Sequence, residues 1–232
     1  MAANAMSLAQ FAASLRAPKI IGMCGSNRPG SLNRKLLACA ASELTKQGAE
    51  VEVVDLSALQ LPLYDSALDD PEGGSFPANA ALLKEKLVAC DGILITCPEF
   101  NGNITPLMCN AITWATRGAG GMYDGFKGKC CMVMATSPGA LGGLRMMRSF
   151  QEMLQDMGCL IVPSHCSLGK GFTLFDDEGN IANERAKGKV ESACAQMVHF
   201  ARFEANRDKD SMIVNAIRSQ QVAGEYGNLG LD

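Results

Sequence analysis

Along this chain, short runs that are apolar at nearly every position alternate with longer segments whose apolar side chains recur every three or four residues. The first run is residues 19–24, K-I-I-G-M-C, ending at Gly25. Further runs stand at 51–56, 92–97 (G-I-L-I-T-C), 130–136 (C-C-M-V-M-A-T) and 160–162. Between them, residues 32–47 place Leu36, Leu37, Ala40 and Leu44 on one helical face, and residues 79–89 do the same with Leu82, Leu83 and Leu87. Helical spacing also covers 106–117, 143–157 and 183–203. Strands apolar on both faces and alternating with helices predict a parallel sheet covered on both sides.

Five such units predict an α/β fold with a doubly wound, five-stranded parallel sheet of flavodoxin-like order, 2-1-3-4-5. Residues 62–77, rich in Asp, Gly and Pro, read as a surface loop. The domain so predicted spans residues 19–206. Residues 1–18, rich in Ala and Ser with one Arg and no acid, read as a disordered leader that shares some features of a targeting segment. Residues 207–232 read as a tail with room for one short helix.

Composition narrows the function classes. With 21 Lys and Arg against 24 Asp and Glu, the net charge is -3, which gives no basic footprint for nucleic acid. No apolar stretch reaches the roughly 18 residues of a membrane span. The ten cysteines mostly sit in or beside apolar runs and form no C-x-x-C pair, so they read as free thiols of a reducing compartment, the cytoplasm, rather than as zinc ligands. No metal is expected. Of the two histidines, His165 follows the fifth strand and reads as an ordinary surface or core residue.

In such a sheet a ligand sits beyond the carboxyl ends of the strands, at the switch point. The loop after the first strand, Gly25-Ser26-Asn27-Arg28-Pro29-Gly30-Ser31-Leu32-Asn33, offers hydroxyls, a guanidinium and a helix N-terminus, the parts of a phosphate cradle. It lacks the lysine of a nucleoside triphosphate P-loop. The bland reading is a helix capped by Ser31 with glycines for the turn. The loops at 98–106 and 137–145, the latter with three glycines, complete the same end of the sheet.

These motifs resemble a known family. G-S-N-R-P-G-S-L-N at 25–33 is similar to the G-S-x-R-x-x-S-x-N loop of the NAD(P)H-dependent FMN reductases, which include quinone and chromate reductases and azoreductases. P-E-F-N-G-N-I-T-P-L-M-C-N-A-I-T-W at 98–114 resembles their P-E-Y-N…L-K-N-x-I-D-W segment, and G-G-L-R at 142–145 fits their third loop. Phe100 stands where Tyr is usual, Met108-Cys109 where Leu-Lys is common, and Thr113 where Asp is common. The resemblance implies that Ser26, Arg28, Ser31 and Asn33, with Leu32 beside them, hold the phosphate of FMN. Pro98, Glu99, Phe100, Asn101 and Gly102 would line the isoalloxazine, with Ser137 and Gly139 near its pyrimidine edge. Asn110 and Trp114 would support that second loop from the following helix. No side chain would act as a catalytic acid or base. NADPH or NADH would pass a hydride to flavin N5, and two electrons would go on to a quinone or similar small acceptor by ping-pong kinetics. A homodimer or homotetramer is implied as well. The alternatives are a flavodoxin-type electron carrier and a flavin-binding redox sensor.

Overall fold

The computed structural model describes residues 14–164 and 166–208. His165, most of the leader and the tail beyond residue 208 lie outside the described residues. Six parallel strands form one sheet: β1 (Lys19–Cys24), β2 (Glu50–Val54), β3 (Gly92–Thr96), β4 (Cys130–Thr136), β5 (Leu160–Ile161) and β6 (Cys166–Leu168). Among the described residues, five α-helices connect or close them: α1 (Leu32–Lys46), α2 (Ala78–Ala89), α3 (Pro106–Ala115), α4 (Leu144–Asp156) and α5 (Glu184–Ala205). The order is β2-β1-β3-β4-β5, with β6 also on β4.

The expected fifth strand is thus two pieces. Cys130 pairs with Leu160, whereas Met134 pairs with Cys166, so the register shifts by two residues across the break. Pro163 sits in that break and has no N–H to give the ladder.

Alternate residues of the central strands feed two cores. Ile93, Ile95, Cys131 and Val133 face α2, α3 and α4, while Leu94, Cys130, Met132 and Met134 face α1 and α5. All of β3 and β4 is buried, as a sheet covered on both faces requires. The chain passes from β1 to β2 through α1 on one face and from β2 to β3 through α2 on the other. This reversal opens a crevice between the ends of β1 and β3.

Two expectations shift. On α2 the inward positions are Ala80, Leu83, Lys84 and Leu87, one helical stripe, and Leu82 is turned outward, 40% exposed. Asn110 and Trp114 hold a different loop: Asn110 Nδ2 and Trp114 Nε1 both donate to the Pro62 carbonyl, at 2.8 and 2.7 Å. Tyr64 and Phe76 pack edge-on against the Trp114 ring. Helix α3 therefore pins the 62–77 loop rather than the loop that precedes it.

Arg16, inside the stretch read as a leader, is fastened to the domain. Its guanidinium grips the buried Asp91 carboxylate through two 2.6 Å bonds, and its backbone N–H donates to Asn206 Oδ1 just past α5.

Candidate functional site

The ends of β1, β3 and β4 enclose a cleft of about 550 Å³. Its first wall is residues 25–33. Gly25 lies where a Cβ would meet Cys97 Sγ at 2.6 Å and Thr105 Oγ1 at 2.9 Å, so only glycine fits. Gly30 has φ +67° and turns the chain into α1. Ser31 caps that helix, its Oγ accepting from the Arg34 N–H. The hydroxyl hydrogen of Ser31 remains for a ligand. The N–H groups of Leu32 and Asn33, in the first turn, have no helical carbonyl behind them. Arg28 lines the cleft, is exposed, and has no ion pair among the described residues.

Arg34, which the sequence reading passed over, braces this wall from beneath. Its Nε donates to the Ser26 carbonyl at 2.8 Å, and its Nη2 reaches Asp55 at 2.8 Å. Burial works against ionisation of Asp55, but hydrogen bonds from Ser57 and the Arg34 charge outweigh it and hold this carboxyl below its usual range.

Asn33 lines the cleft, but its side-chain amide is engaged within the protein. It is buried, and its side chain is spent on β4: Nδ2 donates to the Thr136 carbonyl at 2.9 Å while Oδ1 accepts from the Thr136 N–H at 3.1 Å. The amide ties the first loop to the third. What Asn33 offers the cleft is its backbone N–H.

The second wall is Pro98, Glu99 and Phe100, continued by Thr105 and Leu107. Phe100 and Asn103 exchange two backbone hydrogen bonds of 2.9 Å around a tight turn. Asn101 (φ +54°) and Gly102 (φ +76°) occupy its left-handed corners, the type I′ geometry that Asn-Gly favours. They stand at the tip of the turn, outside the cleft lining. Phe100 is 55% exposed.

Glu99 lines the cleft, but its carboxylate is committed elsewhere. It accepts from Arg145 Nε at 2.6 Å and from the backbone N–H groups of Arg145 and Met146 at 3.2 and 3.5 Å. Gly143, at φ +89°, has no side chain to cap α4, and Glu99 does so from the neighbouring loop.

Thr136, Ser137 and Pro138 make the third wall, whereas Gly139 falls just beyond it. Phe172, from the short turn after β6, closes that side. Among the expected residues, then, the cleft gathers Ser26, Arg28, Ser31, Leu32, Asn33, Pro98, Glu99, Phe100 and Ser137, and leaves Asn101, Gly102 and Gly139 at its edge. Sequence reasoning missed Phe172, Thr105, Leu107 and Thr136. For Thr105 the signal was present, a Thr-Pro pair at the start of an apolar helix.

No helix among the described residues is long and apolar enough to cross a membrane. Among them, no group of three or more His, Cys, Asp or Glu could hold a metal ion.

The fold and cleft define an open α/β protein with a helix N-terminus facing a cleft at its switch point. The sequence model of the NADPH-dependent FMN reductases matches residues 18–173. A quinone reductase of Pseudomonas putida is 31% identical over 159 residues, 68% of this chain and 81% of that protein. An NAD(P)H:quinone oxidoreductase of Solanum tuberosum is 32% identical over 183 residues, 74% of this chain and 87% of that one. Among solved structures, FerB of Paracoccus denitrificans, a flavoenzyme NAD(P)H:(acceptor) oxidoreductase, shares the fold with a TM-score of 0.69 at 24% identity, covering 81% of this chain and 99% of its own. The chain belongs to the NADPH-dependent FMN reductase family and is an NAD(P)H-dependent oxidoreductase that uses FMN.

Proposed function

We propose that the cleft holds FMN with its phosphate on the first wall and its isoalloxazine along the second, and that the enzyme reduces quinones. The donor set supports the fit. A dianionic phosphate meets the Arg28 guanidinium, the Ser26 and Ser31 hydroxyls and the first-turn N–H groups of α1. Arg28, which lines the cleft without an ion pair among the described residues, carries this reading, because a helix cap alone needs no guanidinium there. Bound there, FMN would supply two-electron redox chemistry between NADPH or NADH and a quinone, with the proton that the hydride does not bring taken from solvent.

The protein supplies position. Pro98, Glu99 and Phe100 form a wall whose backbone is held rigid by the Phe100–Asn103 turn and by the Glu99 bonds to α4. Ser137 and Gly139 would stand near the pyrimidine edge, where the Gly139 N–H would stabilise developing negative charge, the Ser137 N–H being given to the Leu168 carbonyl. No side chain of the three walls serves as an acid or base in this reading. Because one cleft admits both nicotinamide and quinone, the kinetics are ping-pong. The relatives named quinone reductase support the choice of acceptor.

A visible spectrum of the purified protein tests the proposal. Yellow protein that bleaches with anaerobic NADPH and regains colour with benzoquinone is the expected result. Yellow protein that does not bleach would move the reading to an electron carrier or redox sensor. Colourless protein that takes up no added FMN would overturn the phosphate assignment.

A further inference from the structure

Phe172 is the largest side chain in the cleft lining that none of the recognised loops supplies, and it is 76% exposed. Leaving a phenyl ring in water forgoes the gain of burying it, so such a ring in a ligand cleft points to contact with the occupant.

The segment that carries it is tightly held. Lys170 N–H donates to the Gly139 carbonyl at 3.0 Å, and Gly171 N–H donates to the Ser137 carbonyl at 2.9 Å. A Cβ on Gly169 would overlap the Ala140 carbonyl, and one on Gly171 would stand 2.6 Å from Leu32 Cδ1 and 2.9 Å from Thr136 Oγ1. Two glycines thus let this segment lie directly on the third wall and on the start of α1. Lys170 adopts φ +56°, a left-handed conformation uncommon for a residue with a side chain. The turn it makes sends Gly171 inward, leaving Phe172 exposed. Phe172 therefore stands on a fixed base at the seam of the first and third walls, opposite no other aromatic of those walls.

We propose that Phe172 is a cofactor-retaining residue, its ring packing against bound FMN between the phosphate end and the flavin ring. The proposal rests on the reading of the cleft as the FMN site. It assigns Phe172 to the cofactor, and leaves the co-substrates to the Phe100 side of the cleft.

Apoprotein titrated with FMN, followed by quenching of flavin fluorescence, gives the dissociation constant and the release rate. Phe172→Ala is expected to weaken FMN binding roughly tenfold or more, mostly through faster release, with Phe172→Leu and Phe172→Tyr intermediate. Gly171→Ala should weaken it too, by displacing the base without removing the ring. Because Phe172 is exposed, the Phe172→Ala apoprotein should melt at the wild-type temperature. An unchanged FMN dissociation constant overturns the proposal. So does a raised KM with FMN binding intact, which would place Phe172 on the co-substrate side. Wild-type protein that fails to bind FMN overturns the cofactor reading itself, and this proposal with it.

Discussion

Glu99 and Arg145 are joined across two loops, with Arg145 Nε and Nη2 at 2.6 and 2.5 Å from the same carboxylate oxygen. The two ends differ in setting: the Glu99 side chain is 8% exposed and that of Arg145 is 70% exposed. The other carboxylate oxygen faces the first N–H groups of α4. The buried end therefore does the structural work, as a helix cap, while the exposed guanidinium adds a solvent-screened pair. Glu99→Ala should lower unfolding stability by about 1–2 kcal/mol, and Arg145→Ala by less than about 1 kcal/mol. Urea denaturation of the two single variants checks the order. Equal losses would mean that the ion pair, and not the cap, joins the loops.

Arg28→Ala should weaken FMN binding by about 1.5–3 kcal/mol, the range of a charge-assisted hydrogen bond. Stability of the apoprotein should stay within about 0.5 kcal/mol, because an exposed side chain outside the structural networks contributes little. FMN titration beside thermal melting separates the two quantities. An unchanged FMN affinity would remove Arg28 from the phosphate site.

Asn33 is expected to behave in the opposite way. Asn33→Ala strands the buried N–H and carbonyl of Thr136, at a cost of about 1–3 kcal/mol. It should affect FMN binding only through displacement of the first and third walls. Chemical denaturation that shows no loss of stability would contradict the bridge.

The contrast between Arg28 and Asn33 marks how far the sequence was legible. Both lie in one motif, and both were expected at the phosphate. Strand and helix periods locate the loop at the end of β1, and the rule for open sheets locates the ligand there. Neither says which way a side chain turns, because Asn33 is claimed by a partner 103 residues away. Phe172 was hidden for a related reason. The fifth strand breaks at Pro163 and resumes at Cys166 with a shifted register, so its loop could not be counted from strand ends as the first three were. Strands apolar on both faces, in contrast, announced themselves: β1 and β4 fall at the bounds that their apolar runs predict.

Arg16 provides a test of where the folded domain starts. Asp91 is buried and takes two hydrogen bonds from Arg16 and one from the Lys19 N–H at 2.7 Å. The hydrogen bond to Asp91 raises the Arg16 pKa above its already high ordinary value. Removing the guanidinium leaves Asp91 with one strong donor. Arg16→Ala should cost about 1–2 kcal/mol, less than for a fully buried pair because Arg16 is half exposed. A variant as stable as wild type would show that the latch contributes nothing to the fold.

The thiols set an alkaline limit on stability. Burial raises Cys90 and Cys97 to about 11 and Cys130 and Cys166 to about 12. In the unfolded chain a thiol loses its proton near pH 8.5. Between these values the folded protein holds protons that the unfolded chain has released, so stability falls as pH rises. The contribution is fully present below about pH 8.5 and is lost as pH climbs through the folded values, on the order of 1 kcal/mol per thiol per pH unit. Urea midpoints measured under reductant from pH 8 to 10.5 should therefore decline steadily, and Cys130→Ala should shallow the slope. At pH 8 the same burial should leave the exposed Cys109 as the fast-reacting thiol toward a disulfide reagent, with all ten reacting after denaturation. A flat midpoint across this range, or rapid labelling of most thiols in the native protein, would contradict the packing of these residues against the sheet.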